Sequence, residues 1–218
     1  MKRQFIINTL VVLAALSPIG YLLISWGSIP DSFTTRFEFE KPFEETQTRQ
    51  ELLVTTISLA LASAGLYILM RNLKKVDPKV NNATPKSTFH KLGLIITLFL
   101  VILNYFFVLA VKYQWIVNTT VLAAFTGLLI TLLGNYINNI KPNYFAGIRL
   151  PWTLNDPENW RRTHLLAGKL WFAAGILLII TSFLLPEHLL IPFIVAVFVV
   201  IVLIPGIYSY FIYRRKLQ

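Results

Sequence analysis

Six stretches of this chain, at about residues 5–26, 52–70, 92–111, 119–140, 170–185 and 189–213, are apolar enough to cross a bilayer as helices, and that limits the fold before any motif is considered. Crossing a hydrocarbon core about 30 Å thick takes about 20 helical residues. The fifth stretch is short, but residues 165–168 extend it toward the membrane surface. Composition agrees, since 56% of the 218 residues are hydrophobic and 14% charged, against about 25% charged in soluble domains. The expected fold is all-α, a polytopic membrane protein with six transmembrane helices. Too little chain is left over for a sizeable soluble domain.

Orientation follows from the basic residues, because Lys and Arg flanks stay on the cytoplasmic side. With the N-terminus inside, 16 of the 20 Lys and Arg residues fall on inside segments. These are Lys2 and Arg3, then Arg71 to Lys91, then Lys141 to Lys169, and finally Arg214, Arg215 and Lys216. Only Arg36, Lys41, Arg49 and Lys112 fall outside. Both termini are therefore expected in the cytoplasm, in a bacterial cell membrane. The net charge of +10 then reflects topology and attraction to anionic headgroups, about 1 kcal/mol per basic residue near the surface. Membrane lipids are the expected partners, and direct nucleic-acid binding is not. With no Cys there is neither disulfide nor thiolate ligand, and no metal or cofactor is expected. The first span resembles a signal peptide up to Ala14-Ala15, but apolar residues continue past Pro18 to Trp26, which fits an uncleaved span.

The chain divides by these features into an N-terminal two-span module, 1–80, and a four-span module, 81–218. The outside loop of the first is acidic, with Asp31, Glu38, Glu40, Glu44 and Glu45, and carries Phe33, Phe37, Phe39 and Phe43. Phe33-x-x-x-Phe37-x-Phe39 fits a short amphipathic strand or a surface-lying loop, and Pro30 and Pro42 discourage a long helix. Asp77-Pro78, Asn81-Asn82 and Thr84-Pro85 mark turns in the inside loop 71–91. Short outside turns at 112–118 and 186–188 make spans three and four, and five and six, helical hairpins.

No Asp, Glu, Lys or Arg lies near the centre of a span. Proton relays and ion-coupled carriers place ionisable groups at depth, so a transporter is disfavoured. The interior polar residues are Thr55, Thr56, Ser58, Ser63, Thr97, Asn104, Thr126, Thr131 and Thr181. Such groups hydrogen-bond helices to one another in lipid, and Asn104 is expected to do so.

The segment after span four is of a different kind. Asn135, Asn138 and Asn139 share one helix face if the helix continues to Pro142, which closes it. Gly147 suits a positive φ or a close backbone approach. Arg149 is suited to a carboxylate or phosphate, and Pro151 stiffens the turn into Trp152. Asp156, Pro157 and Glu158 then start a new helix as N-cap, first-turn proline and dipole-matched carboxylate. On it Trp160, His164, Ala167 and Trp171 form one stripe, joined by Thr163, while Arg162, Leu166 and Lys169 face the other way.

These residues carry a resemblance. Asn143, then Gly147-Ile148-Arg149-x-Pro151-Trp152-Thr153-Leu154, then Trp160-x-x-Thr163-His164 and Gly168-Lys169, resemble the signature of the SdpI family, which includes the immunity protein for the Bacillus sporulation-delaying toxin. The likeness is specific over about 134–169. It implies a polytopic protein that protects against a membrane-active peptide toxin and signals by holding a cytoplasmic transcriptional repressor at the membrane. The site residues expected for binding or signalling in the inside loop 141–169 and its approach are Asn135, Asn143, Tyr144, Gly147, Arg149, Pro151, Trp152, Thr153, Trp160, Thr163, His164, Gly168 and Lys169.

The first reading is thus an immunity or sensor protein without catalysis. The alternative is a membrane lipid-binding protein or enzyme that uses Arg149 and His164 at the cytoplasmic interface. No catalytic signature such as His-Glu-x-x-His, Gly-x-Ser-x-Gly or a P-loop supports an enzyme. Because the chain lacks Cys, topology has a clean test. A single Cys in place of Lys79 or Lys141 should react with an impermeant thiol reagent only after the inner face is exposed, and one in place of Lys41 should react in intact cells.

Overall fold

A computed structural model describes residues 2–38, 42–77, 86–115 and 118–218. Its elements are α1 (Lys2–Ile24), β1 (Ser32–Glu38), β2 (Pro42–Thr48), α2 (Arg49–Val76), α3 (Lys86–Lys112), α4 (Thr119–Ile137), α5 (Pro151–Asn155), α6 (Pro157–Leu184) and α7 (Glu187–Arg215). Among the described residues, six helices have the length and hydropathy to cross a membrane, as the sequence predicts. The chain is a multi-pass membrane protein. Large apolar side chains point outward along the spans, Leu61, Ile102, Ile180 and Val202 among them, which suits lipid rather than water as the surrounding solvent.

The Phe-rich loop is a strand hairpin: β1 and β2 pair antiparallel, with Phe33 opposite Gln47 and Phe37 opposite Phe43. Phe39, Glu40 and Lys41 lie outside the described residues, as do Pro78, Asn81-Asn82 and Thr84-Pro85 of the connection between α2 and α3. Arg49 clasps the base of the hairpin. Its backbone N–H donates to the Asp31 carbonyl at 3.1 Å, and its guanidinium pairs with the Asp31 carboxylate and lies over the Trp26 ring at 5.1 Å. Thr48 and Glu51 then cap α2 reciprocally, since the Thr48 N–H donates to the Glu51 carboxylate at 2.6 Å and the Glu51 N–H to the Thr48 hydroxyl at 3.3 Å.

The chain forms two compact units, one of Met1–Met70 with Gly93–Thr119 and one of Arg71–Leu92 with Thr120–Gln218. The first has an apolar core of Leu22, Ile29, Leu52, Val108 and Val111. Hydrogen bonds tie its helices together. The Asn104 amide donates to the Thr56 carbonyl at 3.0 Å, as the sequence suggests, and the Tyr67 hydroxyl donates to the Asn8 side-chain oxygen at 2.8 Å. Pro18 lies inside α1 and has no N–H for the carbonyl four residues back, that of Ala14. The Ser17 hydroxyl donates to that carbonyl at 2.8 Å, and the Tyr105 hydroxyl donates to Ser17 at 2.9 Å.

The second unit uses the same device. Pro205 inside α7 leaves the Ile201 carbonyl without its helical donor, and the Trp171 indole N–H of α6 donates to it at 3.0 Å. Helices α4 and α6 approach through glycine. A Cβ on Gly134 would lie 2.4 Å from the Phe172 nitrogen, and one on Gly175 2.5 Å from the Gly127 carbonyl oxygen. Backbones meet there because neither helix has a side chain in the way, as small residues permit in membranes. Ile130, Leu178, Val197 and Ile201 form the apolar core of this unit.

Two local expectations change. Helix α4 ends at Ile137, five residues before Pro142, and its last carbonyls close in i→i+3 turns, Asn139 N–H to Tyr136 O at 3.0 Å and Ile140 N–H to Ile137 O at 3.2 Å. Asn138 and Asn139 therefore lie in the turn and do not continue a helix face with Asn135. The capped helix that starts after Asp156 and the fifth span are one continuous helix of 28 residues.

The Trp171–Pro205 pairing has a direct test. Trp171→Phe keeps a ring but leaves the Ile201 carbonyl unmatched, so it should cost about 1–3 kcal/mol. In a Pro205→Ala background the backbone supplies its own N–H, and the same change should cost clearly less. Thermal unfolding in detergent across the four proteins of this cycle measures the coupling.

Candidate functional site

The predicted site forms where α4 ends and α6 begins, within the second unit. Asn143 organises the connecting loop and is fully buried. Its amide nitrogen donates to the carbonyls of Lys141 at 2.9 Å and Ala146 at 3.0 Å, while its side-chain oxygen accepts from the N–H groups of Phe145 at 2.8 Å and Ala146 at 2.7 Å. Four bonds use the full capacity of the amide in satisfying a loop that no helix or sheet supports. The Asp77 carboxylate accepts from the Tyr144 N–H at 2.6 Å.

The loop then passes over His164. Gly147 has φ +109°, and a Cβ there would lie 2.3 Å from His164 Nε2. Both the conformation and the space demand glycine. The next backbone N–H, that of Ile148, donates to His164 Nε2 at 3.0 Å, and His164 Nδ1 lies 2.8 Å from the Trp160 carbonyl. Because Nε2 accepts, the proton sits on Nδ1 and the ring is neutral. The imidazole stacks on the Trp160 indole, centroids 4.0 Å apart and planes at 18°. Trp160 in turn donates to the Ile140 carbonyl at 2.7 Å, just past the end of α4. One buried ring pair thus pins both ends of the loop to α6.

A second group of bonds fixes the loop and α6 to α7. Thr153 accepts from the Leu150 N–H at 2.9 Å and donates to the Ile148 carbonyl at 2.8 Å, which shapes the short helix α5. Trp152 donates its indole N–H to the Ser209 hydroxyl at 2.9 Å and stacks on Tyr213 at 5.8 Å. Buried Asn159 donates to the Ser209 carbonyl at 2.9 Å and accepts from Thr163 at 3.0 Å. Asp156 caps α6 through the N–H groups of Glu158 at 3.0 Å and Asn159 at 3.2 Å, and its other oxygen accepts from Lys216 at 2.6 Å. The Lys216 hydrogen bond, followed by the capping N–H groups, holds its carboxyl below the usual range against a desolvation cost.

The thirteen expected site residues therefore separate into two sets. Asn143, Thr153, Trp160, Thr163, His164 and Gly168 are buried, with Gly147 and Trp152 partly so, and all but Gly168, which packs against Gly134 of α4, lie in this one assembly. Asn135, Tyr144, Arg149, Pro151 and Lys169 are exposed. Arg149 bonds the Tyr144 carbonyl of its own loop and keeps its remaining donors outward. Neither Asp156 nor Glu158 partners His164, since Glu158 pairs with Arg161 at 2.9 Å and Arg162 at 2.6 Å. Ser209 and Asn159 were missed. Asn159 stands four residues before Thr163, which places the two on one helix face, but Ser209 has no such local signal in a 29-residue apolar helix.

Residues 139–209 match the SdpI/YfhL protein family, so the match begins at the loop and ends at Ser209. The family resemblance read from the signature holds for this region. The Immunity protein SdpI of Bacillus subtilis (strain 168) is 29% identical over 89 residues, which span 41% of this chain and 42% of that protein. No solved structure matches this chain.

Two outcomes follow from the geometry. Gly147→Ala should destabilise the protein by at least about 1–3 kcal/mol, the strain of a non-glycine residue at positive φ, read as a lower unfolding midpoint in detergent. Asp156 has a folded pKa below the unfolded value of about 3.9, so its contribution is complete at neutral pH and is lost as pH falls through the folded value. Asp156→Ala should then lower stability at pH 7 and narrow its difference from the parent protein near pH 3.

Proposed function

We propose that this chain is a non-catalytic, multi-pass immunity protein that protects its own membrane against a membrane-active peptide toxin. The observation that carries this reading is the overlap of two regions. The segment similar to the SdpI/YfhL family, 139–209, holds most of the residues of the loop, α6 and α7 that hydrogen bonds join into one assembly. A relative 29% identical over 89 residues is itself described as an immunity protein. The buried members of the signature are the scaffold of that assembly, and its exposed members, Tyr144 and Arg149 foremost, are the surface open to a partner.

The charge distribution supports a cytoplasmic loop and cytoplasmic termini. A toxin arriving from outside then meets the β1–β2 hairpin side of the chain, and the signature loop faces the cell interior. Its outward aromatic and cationic groups, Tyr144 and Phe145 at 45% and 38% exposure beside exposed Arg149, suit the docking of a cytoplasmic transcriptional repressor.

The test is survival. A strain sensitive to the Bacillus sporulation-delaying toxin should survive exposure when it expresses this chain and die with empty vector. Unchanged killing by that toxin and by several other membrane-active peptides, at confirmed membrane levels of the protein, would overturn the proposal. Arg149→Ala at equal protein level should leave survival intact and abolish membrane retention of a co-expressed repressor, which separates protection from signalling.

A further inference from the structure

The loop and the inner half of α7 enclose a groove of about 400 Å³, lined by Ile148, Leu150, Trp152, Gly206, Ile207 and Phe211 among others. Its walls are hydrocarbon. The one polar group of the Trp152 side chain is turned away to Ser209 at 2.9 Å, so the indole offers the groove ring surface. The floor is open because Gly206 has no side chain, and a Cβ built there would meet nothing within 4 Å. Val202, Leu203 and Ile207 are more than half exposed around it, on the most apolar of the described spans. A cleft in such a surface opens to the bilayer, where the fluid that fills it is acyl chain.

Basic residues adjoin the groove along the chain. Arg149 stands between two lining residues, Ile148 and Leu150, and exposed Arg214 and Arg215 follow Phe211 by three and four residues at the end of α7. Arg149 gives one nitrogen to the Tyr144 carbonyl and has others left for a ligand. Asp156, the acidic group nearest in sequence, is engaged by Lys216 at 2.6 Å. An apolar slot with basic residues adjoining it along the chain suits an anionic amphiphile.

We propose that this groove is a binding site for an anionic glycerophospholipid, one acyl chain lying over Gly206 against Trp152 and the phosphate held by Arg149. The site goes beyond the immunity reading and does not depend on it. It places a membrane lipid as a component of the signature loop.

The experiment uses the full chain, reconstituted in mixed phosphatidylglycerol and phosphatidylcholine, re-extracted in mild detergent and weighed intact by native mass spectrometry. The protein should retain phosphatidylglycerol over phosphatidylcholine by about fivefold, the ratio given by about 1 kcal/mol for one basic residue near the surface. Gly206→Leu, whose side chain enters open space in a helix that prefers leucine to glycine, should fold as the parent by circular dichroism and lose the retained lipid. Arg149→Ala should keep lipid and lose the headgroup preference. Equal retention of the two lipids by the parent protein, or unchanged retention in Gly206→Leu, would overturn the proposal. So would a dimer that Gly206→Leu dissolves, since a second copy would then be the occupant.

Discussion

In hydrocarbon a backbone N–H or C=O without a partner has no water to turn to, and this architecture depends on how that constraint is met. Most residues meet it by being helical. The informative positions are those where the helix cannot. Pro18 leaves the Ala14 carbonyl to Ser17, which Tyr105 supports in turn; Pro205 leaves the Ile201 carbonyl to Trp171; and the end of α4 leaves the Ile140 carbonyl to Trp160. In each case a side chain completes what the backbone lacks, and in the two tryptophan cases it does so from another helix. Without a hydrophobic force to gather helices in lipid, these unmet carbonyls and the glycine contacts of α4 and α6 supply the specific attractions that hold a particular arrangement.

The signature loop follows the same logic in miniature. It has no secondary structure between Ile140 and Leu150, so Asn143, His164 and Thr153 take the place of neighbouring strands or turns. The His164 ring is the centre of the arrangement. It accepts from the loop, reaches the Trp160 carbonyl, stacks on Trp160 and fits only because position 147 lacks a side chain. A histidine with both nitrogens committed to main chain is a structural part, and the neighbouring carboxylates are occupied elsewhere. Among the described residues, Arg149 and His164 of the catalytic alternative are not paired with each other. The Arg149 half of that alternative survives in another form, on the outside of the loop.

What could be read from the sequence was whatever is local. The six spans follow from length and composition, the α6 start from Asp156-Pro157-Glu158, and the inward stripe from the spacing of Trp160, His164 and Ala167. The glycine at 147 announced a special backbone. Partners separated by long stretches of chain were not legible, because nothing near Ser209 marks it as the acceptor for Trp152 and Asn159 across 57 and 50 residues. Nor was the early end of α4, which is decided by the Ile140 carbonyl turning to Trp160 and by Gly134 packing on Phe172. Asn143 read as a ligand-binding residue for the reason that makes it a loop organiser, since one amide with two donors and two acceptors serves either use.

The bonds that α7 receives at Ile201 and Ser209 come from Trp171, Trp152 and Asn159, all on elements before it in the chain. They grip the helix at two heights eight residues apart. A helix held in this way cannot turn about its own axis without releasing indole and amide donors into lipid at the same moment. Its azimuth is indexed. A message passing along α6 and α7 would therefore travel as a tilt or a piston stroke of the pair moving together, and not as a screw motion of one helix against the other.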